Sequence, residues 1–168
     1  MSISSFNSRL CLAFVAAAVA LGAPAAHATK LKQQNLTRLI ADAQQIVAGK
    51  VTRVTDGVSP RGLPYTEITI AVADSAKGEL RGGKSYTFRQ FGLLEPRKMS
   101  GGRMLVAVTP EGFPTWQEGE QMVAFLHRPA KRTGLQTTAG LAQGKLTLLN
   151  GRVTNEFNNC GLFDGVKI

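Results

Sequence analysis

Thr66, Ile68, Ile70 and Val72 alternate with Tyr65, Glu67, Thr69 and Ala71, and this two-residue period constrains the fold more than any other stretch. Successive side chains of a β-strand point to opposite faces. The stretch is therefore read as a strand with one apolar face. Ile46 to Val54 is a second extended stretch, in which β-branched residues recur among polar Lys50, Thr52 and Arg53. Asp56-Gly57 and Ser59 to Pro64 read as the loop between them, so the two strands are expected to pair antiparallel. Gly49 in mid-strand predicts a bulge or a sharp bend.

The rest of the chain follows the same pattern. Ser85 to Gln90 alternates and sets Tyr86 and Phe88 inward, while Met104 to Val108 and Gln121 to Leu126 are short apolar runs expected as buried strands. Leu135 to Ala139 is a further short strand. Lys145 to Leu149 and Arg152 to Phe157 flank Asn150-Gly151, the pair preferred by a type I′ hairpin turn. Gly92 to Arg103 has no period and reads as a mobile loop, and Leu162-Phe163 is expected to tuck onto the core. The one helical signal is Leu36, Leu39, Ile40 and Ala43, spaced along one face and capped by Asn35. The fold class is thus all-β with one short N-terminal helix, an antiparallel OB-like barrel of about six to eight short strands.

Residues 1–28 read as a signal peptide. Arg9 supplies the positive start, Leu10 to Leu21 an apolar run too short to span a bilayer, and Ala26-His27-Ala28 the small-x-small cleavage site. Of 168 residues, removal of 28 leaves 140, residues 29–168, expected as a single β-barrel domain. The product is expected to be exported, periplasmic or secreted, with no integral membrane segment. Cys11 departs with the leader, so Cys160 is left either as a free thiol or as the site of an intermolecular disulfide. Of 20 basic residues only Arg9 is lost, and all 11 acidic residues remain, giving 19 − 11 = +8. That balance favours anionic partners.

Motifs for chemistry are sparse. Gly78 to Ser85 fits G-x-x-x-x-G-K-S, yet a phosphate-binding loop needs a helix after the lysine, and here Ser85-Tyr86-Thr87-Phe88 alternates like a strand. The segment is read as a β–β turn. After the leader His127 is the one histidine, and no G-x-S-x-G accompanies Ser100 or Cys160. One His and one Cys do not make a zinc site, and Asp56, Asp74 and Asp164 lack a calcium-loop spacing. Glu118 and Glu120, the pair considered for glycoside hydrolysis, lie in an acidic turn. No catalytic, metal or cofactor-binding residue is assigned, and the chain is read as no enzyme. Among the aromatics, Tyr86, Phe88 and Phe125 read as core, and Trp116, in a proline-flanked loop, as exposed. The candidate binding residues lie on loops: Arg97, Lys98, Arg103, Phe113, Trp116 and Arg128.

Ala43 to Val54, Tyr65-Thr66-Glu67-Ile68-Thr69-Ile70, Lys77-Gly78 and Gly119 to Leu126 together resemble a class of small exported bacterial proteins, with Gln143-Gly144-Lys145 and Gly161-Leu162-Phe163 similar to its tail. The pattern is also similar to netrin-like and metalloproteinase-inhibitor modules, which are OB-type barrels. Those inhibitors use an N-terminal cysteine, and this chain lacks their cysteine framework, so no inhibitory residue carries over. Taken together, the sequence is read as an exported, non-catalytic binding module whose loops 92–103 and 110–116 meet a protein partner, with an exported protease as one such partner. The alternative is a basic barrel that binds an anionic polymer, nucleic acid or envelope polysaccharide; a hydrolase stands last.

Overall fold

The structure is a computed structural model, and it describes residues 32–166; the expected leader, residues 1–28, lies outside them. The chain runs through α1 (Leu36–Asp42), β1 (Gln45–Val58), β2 (Pro64–Lys77), β3 (Ser85–Phe91), β4 (Arg97–Lys98), β5 (Met104–Leu105), β6 (Gln121–Leu126), a 3₁₀ turn (Leu141–Gly144), β7 (Lys145–Leu149) and β8 (Arg152–Thr154). Six strands form one sheet in the order β3-β2-β1-β6-β7-β8, and β4 pairs with β5 apart from it. Every strand pair is antiparallel. The molecule is thus mostly β with one short helix.

The alternation of β2 is obeyed: Thr66, Ile68, Ile70 and Val72 are buried. Ile68, Ile70 and Val72 meet Val47, Val51, Phe88, Met122, Ala124 and Leu126 in the larger core cluster. Burying each Ile or Leu side chain fully contributes about 1.5–3 kcal/mol, so this face dominates the stability. On the opposite face Ile46, Phe125 and Leu146 are covered by Leu39 and Ala43 from α1 and its end, together with Ala139 and Leu162.

Helix α1 has seven residues, too few to persist without tertiary support. Asn35 caps it by accepting the Arg38 N–H at 3.0 Å. At its other end Lys77 Nζ donates to the Ile40 carbonyl at 2.7 Å, a cation against the negative pole of the helix. Leu36 N donates to Leu162 O at 2.7 Å, so Leu162 does return to the core. Phe163, expected to tuck with it, is exposed; of the pair only Leu162 joins the cluster beneath α1.

Strand β1 is longer than its sequence suggests. Asp56 and Gly57, expected in a loop, pair with Thr66 and Tyr65, and the turn to β2 shrinks to residues 59–63. The register shifts between Ala48 and Gly49, as the mid-strand glycine predicted. A Cβ on Gly49 would collide with the Ala71 carbonyl oxygen, so glycine permits the close approach of β2. A second shift leaves Thr52 unpaired between Val51 and Arg53, and its hydroxyl donates to Thr69 O at 3.2 Å. With a third shift between Ile46 and Val47, these irregularities bend and coil the two long strands.

The segment 135–139 connects two sheet strands. It bonds to β6 and the residue after it through His127 N to Thr137 O (3.0 Å) and Ala139 N to Phe125 O (2.6 Å), and to β3 through Gln136 N to Arg89 O (2.7 Å). Arg89 and Leu135 form a parallel bridge. The β7–β8 hairpin turns at Asn150 and Gly151 with φ of +50° and +74°, the type I′ signature. Strand β8 ends the sheet after three residues.

Candidate functional site

Leu93 to Val108, read as a mobile loop followed by a buried strand, forms one clamped hairpin. Leu93 and Val108 exchange both backbone hydrogen bonds at 2.8 Å, and Leu93 is buried. Arg97 then pairs with Leu105 and Lys98 with Met104. Met99 N donates to Arg103 O at 2.8 Å, closing a tip in which Gly101 and Gly102 both take positive φ.

Asp56 holds the hairpin to the main sheet. Its Oδ2 accepts the Leu94 and Glu95 N–H groups at 2.7 and 3.0 Å. Its Oδ1 accepts from Arg97, whose Nη2 also donates to the Asp56 carbonyl at 3.1 Å. The carboxylate side chain is only 6% exposed. Burial alone would raise its pKa, but the Arg97 guanidinium and the two loop N–H groups outweigh it and hold the carboxyl below its ordinary 3.8. The same contact raises the pKa of Arg97.

The clamped hairpin carries an apolar row to the surface. Met104 is 54% exposed and Val106 67%, with Val108 and Leu94 also exposed. This corrects the buried strand expected at 104–108: β5 has only two residues, and among the described residues no second layer covers them. Lys98, cross-strand from Met104, and Arg103 at the tip are exposed beside the row. Contiguous exposed apolar residues rimmed by charge are typical of interaction surfaces. The hairpin is the place in the described residues where three of the candidates, Arg97, Lys98 and Arg103, come together.

The other candidates lie elsewhere. Trp116 is not exposed as expected; 8% of it is accessible. Its Nε1 donates to Gln90 Oε1 at 3.1 Å, while Gln90 Nε2 donates to Pro114 O at 3.0 Å. The indole meets Phe88 edge-on, with ring centres 5.4 Å apart. Above it Lys145 Nζ lies 5.1 Å from the ring centre and donates to Glu120 Oε2 at 2.8 Å and Thr115 O at 2.5 Å. Thr115 is held in turn by Glu156, through its N–H and its hydroxyl, both at 3.0 Å. A buried indole N–H needs a partner, and Gln90 provides it. The 110–116 loop is therefore pinned to the core, with Phe113 half-buried.

Arg128 is exposed and donates to Gln44 Oε1 at 3.3 Å, just before β1, whereas Asp56 lies near that strand's far end. Cys160 is a free, exposed thiol, and Gln33 Nε2 donates to its Sγ at 3.7 Å. Strand β3 begins immediately after Lys84, so the G-x-x-x-x-G-K-S match is a turn between strands, as expected. Among the described residues no three His, Cys, Asp or Glu side chains group as metal ligands, and no helix is long and apolar enough to cross a membrane. The partners that matter most, Asp56, Gln90 and Lys145, carry no motif. The one sequence signal for Gln90 is its place in the inward series of Tyr86 and Phe88. Compared with protein-family models, with curated proteins and with solved structures, the chain finds no match in any of the three.

Proposed function

We propose that the protein is an exported, non-catalytic binding module on an OB-like barrel, and that it meets a protein partner through the β4–β5 hairpin. One observation carries the reading: Met104, Val106 and Val108 form an exposed apolar row beside Lys98 and Arg103, on a hairpin that Asp56 fixes at its base. A fixed surface loses less conformational freedom on binding than a loose loop does. Methionine adapts its shape to a partner, and the flanking cations favour a partner with acidic residues around an apolar cleft.

Barrel closure is supported by the segment 135–139, which bonds to β6 on one side and to β3 on the other. Export is supported by the three-part leader pattern of residues 1–28. Among exported partners, a protease is the class to which the resemblance with inhibitor modules points.

The test is capture from the exported fraction of the host by the processed chain. Met104→Asp with Val106→Asp, two exposed positions, is expected to abolish capture while leaving the melting temperature within a few degrees. A double variant that still retains the same partner would sink the assignment to this hairpin.

A further inference from the structure

Two loops distant in the chain meet at one corner of the sheet. The Arg61 guanidinium, in the β1–β2 turn, donates to the carbonyl oxygen of Arg132 at 2.9 Å. Arg132 belongs to the loop after β6, closed on itself by Ala130 N to Leu135 O and Gly134 N to Ala130 O, both 2.8 Å. Its downstream end is fixed to β3 through Gln136 N and Arg89 O. Residues 128–134 are exposed throughout, as is Arg61. Arg61, Lys131 and Arg132 thus share one accessible corner, supported on ordered backbone.

Neither loop that forms the corner carries an acidic residue. No Asp or Glu occurs between Asp56 and Glu67, nor anywhere from Gln121 through Asn155. The two carboxylates that bracket the Arg61 turn are already engaged, Asp56 by Arg97 and Glu67 by Arg89 at 2.7 Å. Arg61 commits one of its five N–H donors to the Arg132 carbonyl, which places its guanidinium against the backbone of the loop that carries Lys131 and Arg132. An uncompensated cluster of this kind attracts an extended anion and steers its approach.

We infer that this corner is a binding site for an acidic polysaccharide, whose carboxylate or sulfate groups bridge Arg61, Lys131 and Arg132. A sugar chain is favoured over single-stranded nucleic acid because base recognition uses open aromatic faces, and neither loop has a Phe, Tyr or Trp. The ring that opens β2, Tyr65, is only half-exposed and lies under the Arg89 guanidinium, 4.3 Å from its centre. The inference is independent of the hairpin reading.

The test is binding of the whole processed chain to dextran sulfate, to polygalacturonate and to a single-stranded oligodeoxynucleotide over a range of salt concentrations. Counterion release makes log affinity fall linearly with log salt, and the same dependence is expected for both glycans. Arg61→Gln/Lys131→Gln/Arg132→Gln is expected to weaken glycan binding about tenfold or more and to flatten the slope by about two. Lys50→Gln/Lys84→Gln/Arg152→Gln removes as much charge from other exposed positions and is expected to leave most of the binding. Lys131→Gln alone, at an exposed loop position, gives a partial loss without removing the Arg61–Arg132 contact. Equal losses in the two triple variants, or no glycan binding at low salt, would overturn the site. Tighter binding of the oligonucleotide than of either glycan would overturn the choice of ligand.

Discussion

Lys145 Nζ lies 2.8 Å from Glu120 Oε2, with the lysine side chain 6% exposed. The pair joins the start of β7 to the turn that leads into β6, and the same ammonium reaches Thr115 O and the face of Trp116. Removing one member of a buried pair leaves the other desolvated and unpaired, at a cost of about 3–5 kcal/mol. Lys145→Met is therefore expected to lower the urea midpoint strongly. Lys145→Met combined with Glu120→Gln should recover a substantial part of the loss. A single variant with an unchanged midpoint would show that the pair contributes nothing.

Asp56 makes the hairpin sensitive to acid. Its carboxyl titrates below the ordinary 3.8 in the folded state, so its contribution is fully present above that value and is lost as pH falls through the folded pKa. Hydrogen exchange across residues 92–108 is expected to be slow at pH 5 and to quicken, beyond the intrinsic pH effect, as the pH falls below 3.8 and through the lowered folded pKa. Asp56→Asn should exchange fast at both. Equal protection of the variant and the parent at pH 5 would refute the clamp.

Trp116 is the one tryptophan of the chain, which makes its fluorescence a report on the core. The emission is expected to be blue-shifted and poorly quenched by acrylamide, moving red on unfolding. Trp116→Phe keeps a ring against Phe88 and leaves Gln90 Oε1 without its donor, at a cost of about 1–3 kcal/mol. Partner capture through the hairpin should persist in this variant. Strong quenching in the native protein would contradict the buried indole.

Gly49→Ala tests the bend in β1. The added methyl would press on the Ala71 carbonyl, and overpacking of this kind costs about 1–3 kcal/mol. Gly83→Ala meets open space, so its cost is confined to the backbone at φ +80°, about 1 kcal/mol. The expected order of melting temperatures is parent, then Gly83→Ala, then Gly49→Ala.

Much of the sheet is legible in the sequence because period and turn chemistry are local. Ile68 and Ile70 alternate with polar neighbours, and Asn150-Gly151 needs no distant partner to turn. The failures share a cause. Trp116 looks exposed until Gln90 and Lys145 arrive from strands distant in sequence to satisfy and cover it. Met104 to Val108 looks like core, since nothing local says that its outer face stays uncovered. Asp56 reads as a turn residue, because Leu94, Glu95 and Arg97 come from some 40 positions downstream. In the candidate hairpin the cations were visible in the sequence, and the anchor that makes them a surface was not.

Strand β8, three residues long, has a bearing on how the protein behaves in a crowded solution. The end strand of a sheet is a template on which another chain can add, and the β7–β8 hairpin exposes Leu148, Leu149 and Val153. At three residues, with Arg152 at its start, β8 presents too few free backbone groups to hold a neighbour. Asn155 then takes the chain out of line, its Oδ1 accepting the Phe157 and Asn159 N–H groups at 2.9 Å. The brevity of one terminal strand thus leaves a second chain little template to extend, and the strand stops where the Asn155 turn begins.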